Sequence, residues 1–397
     1  MARSRKVTAK KADQSTGPSV AATSKKPPVL FDIGRPDALE EAIVLLYALA
    51  FGPIEHAVLT QALTLAGLTL PDGTRMTQEK LVPLVQHLHQ ENLLVSPGLR
   101  DVEIDLADPE SDIDDLECDV DLRWASFDQA QEKGWLLPLG QILQEVDPAE
   151  ISETSVEYKW SQQRFASLNH ASRDLFLAME TRDQSELARL IQLCLEDQYI
   201  PSLAHVLYPV CLDPLHPDHL ALLDLETRLS LLYAGLHAGV CDLSLNHPIF
   251  EYARTEIPTF AVKTRDNTFS ALIALLAERD LLCGNLTEAS DLLKTYPDPT
   301  DPMMSGMQSL LTGHLDAAKE AFSLAVKGRT KGKKAVMEHL RSFPGVLHVT
   351  LLVQSDNLQD RALAKTWLKW GERTYCPYQA SFDCLANLLA LHQGSVG

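Results

Sequence analysis

Leu282-Cys283-Gly284-Asn285-Leu286-Thr287-Glu288-Ala289 and Leu311-Thr312-Gly313-His314-Leu315-Asp316-Ala317-Ala318 carry one pattern twice. Gly284 and Gly313, Leu286 and Leu315, Ala289 and Ala318, then Leu293 and Phe322, are each 29 residues apart. A glycine after an apolar helical run supplies the left-handed residue that ends a helix. A small alanine in the following turn lets two helices lie close together. The pattern predicts helix, glycine turn, helix: a tetratricopeptide-like unit, shorter than the usual ~34 residues.

Working outward, helix-length apolar runs recur from about 126 to 394 with no strand alternation between them. They are broken at Pro148, Pro201, Pro214, Pro217, Gly239, Pro248, Gly284, Pro297 to Pro302, Gly313, Pro344-Gly345 and Gly371. Helices of that length with short connections predict an α-helical repeat domain, an α-solenoid, over 126–397. Upstream the rhythm changes. Leu39, Ile43, Leu46 and Tyr47 fall at helical spacing before Gly52-Pro53, and a short helix runs from Ile54 to Leu63 before Gly67. A third helix starts after Thr77, with Pro83 inside it. Leu93-Leu94-Val95 and the alternating Val102, Ile104, Leu106 read as two strands of a hairpin. Three helices and a hairpin predict a winged-helix-like module over 29–107. The fold class expected is therefore mainly α: a winged-helix-like module followed by a tetratricopeptide-like α-solenoid.

Charge divides the chain further. Its 397 residues hold 54 acids and 35 Lys+Arg, a net charge of −19. That average argues against a protein that coats nucleic acid. It is unevenly spread. Residues 1–28 form a basic tail expected to be disordered, with seven bases (Arg3, Arg5, Lys6, Lys10, Lys11, Lys25, Lys26) against Asp13. Eleven acids and no base fall between Asp101 and Leu122, so 108–125 is expected to be a solvated acidic linker. The strongly basic stretch downstream is Lys327, Arg329, Lys331, Lys333 and Lys334, with Arg341 beyond. These six are the candidate contact residues for nucleic acid or an acidic partner. A solvated loop, or pairing with the chain's own acidic run, are the other readings of the same residues.

Catalytic motifs are hard to find. Gly328-Arg329-Thr330-Lys331-Gly332-Lys333-Lys334 only superficially suggests a phosphate loop. Its glycines are one residue too close, no Ser or Thr follows Gly-Lys, and no strand precedes it. Cys211, Asp213, His216, Asp218 and His219 cluster within nine residues, and Cys-x4-His-x2-His brings metal-ligand types together. The second half of a zinc site is missing, and the same residues read as a polar turn with Asp218 or His219 capping the next helix. No cofactor or metal is expected, and the chain is read as no enzyme. Seven scattered cysteines without a CxxC pair fit reduced thiols in a cytoplasmic protein. No apolar stretch is long enough for a membrane span. The third helix of the winged-helix-like module carries one Lys and two Glu among its polar residues, so protein contact is favoured over sequence-specific DNA reading.

Several stretches resemble the region preceding the motor in a group of bacterial Swi/Snf-family DNA translocases. Gly67-Leu68-Thr69-Leu70-Pro71-Asp72-Gly73, with Leu81, Pro83, Leu84, Leu88, Asn92, Leu93 and Leu94, is similar to their winged-helix-like module. Pro214-Leu215-His216-Pro217-Asp218-His219-Leu220 resembles a turn and helix of their helical region. Leu311 through Phe322, Lys327 to Lys334, and Pro344-Gly345-Val346-Leu347-His348-Val349 resemble their helical repeat, basic loop and next helix. The resemblance spans roughly 37–394 and implies the accessory part alone, since no ATPase motif stands in these residues. It implies a non-catalytic adaptor or regulatory module with a protein partner, a separate ATPase motor among the candidates, and with DNA nearby. The alternative is a DNA-binding regulator using the winged helix, the basic tail and the 327–334 loop.

Overall fold

The computed structural model describes residues 38–70, 72–96, 116–150, 167–197, 200–264, 267–329, 333–371 and 378–392. The basic tail, the expected strand at 102–106, most of the acidic run and Lys331 lie outside them. The first helix, α1 (Ala38–Ala50), is apolar almost all round, and a helix of that kind must be covered on every side. Every residue from Glu41 to Leu49 is buried. Its two charges, Glu40 and Glu41, sit in the first turn, where a negative charge suits the helix dipole. Glu41 is further met by Lys133.

The cover for α1 comes from both directions along the chain. α2 (His56–Leu65) and α3 (Gln78–Gln90) pack on it, and α3 continues through Pro83. β1 (Leu94–Val95) pairs antiparallel with β2 (Glu117–Cys118), placing Leu94 opposite Cys118 and Val95 opposite Glu117. α4 (Val120–Glu132) follows at once, capped by Asp119, and then α5 (Leu136–Val146). β1 thus has 117–118 as a partner, and the expected strand at 102–106 lies outside the described residues. Residues 116–125 are not a solvated linker: Leu116, Cys118, Leu122 and Trp124 are buried in the same core as α1. The acids between them alternate with apolar residues, and those apolar residues decide where the segment goes. The helical part begins at Val120, not near 126.

The rest is helix: α6 (Leu168–Glu180), α7 (Gln184–Glu196), α8 (Leu203–Cys211), α9 (Pro217–Leu222), α10 (Leu225–Cys241), α11 (Ile249–Lys263), α12 (Asn267–Leu282), α13 (Leu286–Thr295), α14 (Pro302–Leu311), α15 (Leu315–Arg329), α16 (Lys333–His339), α17 (Phe343–Gln354), α18 (Leu358–Gly371) and α19 (Gln379–His392). The molecule is mainly helical, with nineteen helices among the described residues and a repeat-like succession of hairpins. No described helix is long and apolar enough to cross a membrane. One buried cluster runs from Leu39 to Leu351, and a second joins α16 to α19. Polar joints are set into this core. Fully buried Asp280 of α12 takes two bonds from Arg254 of α11 at 2.6 and 2.8 Å and one from Arg279.

The two glycine turns end α12 and α14, each with φ +79°. In both, the third residue past the helix bonds back five residues: Asn285 N–H to the Asp280 carbonyl and His314 N–H to that of Ser309, both 2.8 Å. This closes carbonyls the helix end leaves open. Arg182 (φ 54°) and Leu243 (φ 56°) end α6 and α10 with the same bond, so the device is used without glycine too. Gly239, expected as a break, is inside α10, where its bare Cα lets the Phe250 ring approach. Pro344-Gly345 lies in the first turn of α17, where proline's missing N–H costs nothing.

These two uses of glycine separate by mutation. A Cβ on Gly313 would meet nothing within 4 Å, so Gly313→Ala carries only the left-handed backbone cost, about 1–2 kcal/mol. A Cβ on Gly306 would lie 2.4 Å from the Phe322 ring. Gly306→Ala is expected to cost about 1–3 kcal/mol by overpacking. Urea midpoints check both, and the Gly306 loss alone should be relieved in the background of Phe322→Leu.

Candidate functional site

The basic residues are divided by the fold. Lys327 is exposed near the end of α15, and Arg329 is its last residue. Lys333 and Lys334 open α16 and are both exposed. The Lys333 ammonium lies 5.9 Å from the Trp370 ring centre, within cation–π range. Lys334 is 3.9 Å from Glu338, one turn on, a pair of little consequence at the surface. Arg341 belongs elsewhere: it lines a small cavity of about 130 Å³ with Tyr233, His237, Glu278 and Asp301. α18 adds what sequence reasoning missed. Exposed Lys365 and Lys369 precede Trp370 on the same helix, so the Lys333–Trp370 contact joins the start of α16 to α18. The signal was there as Lys-x3-Lys-Trp, but nothing local pairs it with Lys333.

α16 is short, and two histidines anchor it. His339 Nε2 is 3.2 Å from His348 Nδ1 on α17, and His348 Nε2 is 3.4 Å from the Ser323 hydroxyl on α15. Both rings stand edge-on to Trp367 of α18. The imidazoles thus tie together the four helices beneath the basic patch. Burial pushes His348 down to about 4, against the opposing pull of Asp360, so the folded protein holds this ring neutral.

The 211–219 cluster is a joint of a different kind. His216 stacks on Trp124 of α4 with ring centres 3.7 Å apart, and the Trp124 indole donates to the Asp213 carbonyl at 3.1 Å. His219 bridges the Val210 carbonyl, 2.9 Å, and the Glu180 carboxylate, 2.8 Å. Both its ring nitrogens are therefore engaged. Cys211 is buried beside Met179 and burial pushes its thiol up, away from the thiolate a metal needs. Among the described residues no group of three or more His, Cys, Asp or Glu is arranged to hold a metal. Neither Asp218 nor His219 caps the helix; His216 stands at that position, with Pro217 opening α9. Burial and the nearby His219 push His216 down to about 4.

One relay mimics catalytic geometry. The Ser167 hydroxyl meets His170 Nδ1, and His170 Nε2 lies 2.8 Å from Asp147. Ser167 is the N-cap of α6 and accepts from the His170 N–H. The same Ser-x-x-His contact recurs at Ser202 and His205 at the start of α8, with no carboxylate attached. At Ser167 the hydroxyl caps the helix through the His170 N–H, and Asp147 links α5 to α6.

A hollow of about 530 Å³ lies between α7, α8 and α10, with mostly apolar walls and an open side. Leu195, 62% exposed, stands at its edge. No sequence signal picked it out, because each of its helices reads as an ordinary amphipathic segment. The chain matches no family model, no curated protein and no solved structure.

The histidine joints set a pH dependence. A histidine in the unfolded chain titrates near ~6.5. With folded values of about 4, the unfolded state binds more protons between those limits. Their stabilisation is complete above about pH 6.5 and falls away as pH drops toward 4. Urea midpoints measured from pH 7 to 4.5 should decline, and His348→Gln should show a shallower decline than wild type. An identical slope in the two would remove His348 as the cause.

Proposed function

We propose that this chain is a non-catalytic adaptor or regulatory module acting through protein–protein contacts, accessory to a DNA translocase motor. The observation that carries it is the open apolar groove between α7, α8 and α10 in a succession of helical hairpins. Helical repeats offer such surfaces to partner proteins. The N-terminal helices support the same reading. α3 would be the DNA-reading helix of a winged-helix module, yet its exposed residues include one lysine, Lys80, which donates to Thr74 at 2.7 Å. A DNA-reading surface is ordinarily richer in Arg and Lys. The motor link rests on the resemblance of the 67–94, 214–220 and 311–349 stretches.

A second reading, DNA binding, is favoured by the Lys333–Trp370 contact, with exposed Lys334 beside Lys333 in sequence and exposed Lys365 and Lys369 on the helix that carries Trp370. Cations beside an aromatic ring suit a nucleic-acid backbone and its bases.

Cross-linking in native cells at physiological salt tests the first reading. It expects cross-links to a motor-bearing protein, and recovery of the chain alone would overturn it. Duplex-DNA titration across salt tests the second. Each phosphate contact contributes about −0.9 to the log–log slope, so a Lys333→Glu/Lys334→Glu variant should lose roughly two units of slope. Flat binding at low salt would remove that reading.

A further inference from the structure

We infer that the groove between α7, α8 and α10 receives a three-turn amphipathic α-helix of a partner protein, apolar on one face and flanked by Lys and Arg. The inference rests on the adaptor reading and names the chemistry of its partner.

The groove's length comes from α7. The residues it presents, Gln184, Leu187, Ala188, Ile191, Gln192 and Leu195, follow the spacing of one helical stripe. That stripe extends about 16 Å, or three turns. α7 turns Leu187, Leu190 and Cys194 into the core. Beside that face Ala188 and Leu195 stay exposed and Ile191 half-buried, an apolar strip with no described helix over it.

The walls explain why a helix fits and an extended segment does not. All three are helices, whose interior N–H and C=O groups are already paired. An extended peptide laid on them would leave its own backbone groups facing apolar side chains without partners. A helix brings its backbone already satisfied and inserts side chains at i, i+3 or i+4, and i+7. Ala188, Ala204 and Ser230 are small, so a fourth helix axis can come within about 8–10 Å of its neighbours. The hollow of 530 Å³ then takes the anchoring side chains and not the helix itself.

The charge of the occupant follows from the lining. The charged residues among it are Asp224 and Glu226, both acidic and both exposed, with no Lys or Arg. Asp224 is held by capping α10 through the Thr227 N–H at 2.9 Å, which fixes its carboxylate at the rim. The body behind it is part of a chain of net charge −19. A helix with cations beside its apolar stripe is attracted, and one with carboxylates there is repelled.

The test uses the full chain and fluorescein-labelled synthetic 18-residue peptides read by anisotropy. One carries leucines at i, i+3, i+4, i+7 and i+11 with flanking lysines, a second has glutamates for those lysines, and a third has two central prolines. The lysine peptide is expected to bind saturably, the glutamate peptide at least tenfold more weakly, and the proline peptide not at all. Ala188→Arg and Leu195→Arg, both at exposed positions, should each weaken the lysine peptide tenfold or more with melting temperature unchanged. Gln192→Arg, also exposed, stands in should either variant melt early. Glu226→Lys should narrow the gap between the charged peptides at least threefold.

Equal binding of the lysine and glutamate peptides, or binding untouched by the arginine variants, would overturn the inference. So would light scattering that shows a dimer dissolved by Leu195→Arg, which would assign the groove to a second copy. Cross-links to a partner that persist in the Ala188→Arg and Leu195→Arg variants would remove the groove proposal and leave the adaptor reading in place.

Discussion

α1 has no polar face, and the arrangement of the N-terminal half follows from that. A helix buried from Glu41 to Leu49 needs neighbours on all sides, and three helices cannot supply them. α2 and α3 cover part of it. The remainder is taken by β2, α4, α5 and α6, which lie beyond the acidic run in sequence. The described end of the acidic run, 116–122, lays Leu116, Cys118 and Leu122 into the core around α1, with β2 paired to β1. What ties the N-terminal helices to the rest is shared core. No division of the buried cluster separates them from α6.

This is also where sequence reading reached its limit. Counting eleven acids in 101–122 gives the correct charge and the wrong environment for 116–125, because repulsion between carboxylates is weaker than the burial of the apolar residues between them. A fully buried aliphatic side chain contributes about 1.5–3 kcal/mol, and exposed like charges oppose it by tenths. Local signals did better. The helices at 38–50, 56–65 and 78–90 were legible from spacing and turn residues, and Gly284 and Gly313 marked their turns. Arg182 and Leu243 were not legible, since a left-handed non-glycine residue has no signature of its own. Gly239 misled for the converse reason: glycine there serves the approach of Phe250, a tertiary fact.

The candidate site divides in the same way. Lys333 and Lys334 stood out in sequence, but Trp370 meets Lys333 only because α16 packs on α18. The histidines invited a metal reading from their spacing. Spacing alone cannot show that Trp124 lies against His216 or that Glu180 waits for His219. In this protein clustered polar residues repeatedly serve as joints between helices. Asp280 with Arg254, Asp147 with His170, and His339 with His348 each connect elements that apolar packing alone would leave free to slide. A buried polar pair is a poor source of net stability but a strong source of register, because a misplaced partner leaves an unsatisfied group.

That division of labour bears on how two surfaces can work on one molecule. The groove is backed by the first core cluster and the basic patch by the second. In a structure built from successive hairpins each element rests mainly on its neighbours, so local opening need not spread. The α16–α19 block is small and its centre is the histidine pair. The groove draws on α6, α8 and α10, and behind them on the aromatic joint of Trp124, Phe127, Phe176 and His216, a set of contacts separate from the histidine pair. A partner helix in the groove and an anionic partner on the patch would then be independent contacts on a shared scaffold, and their affinities would multiply only where one assembly can reach both.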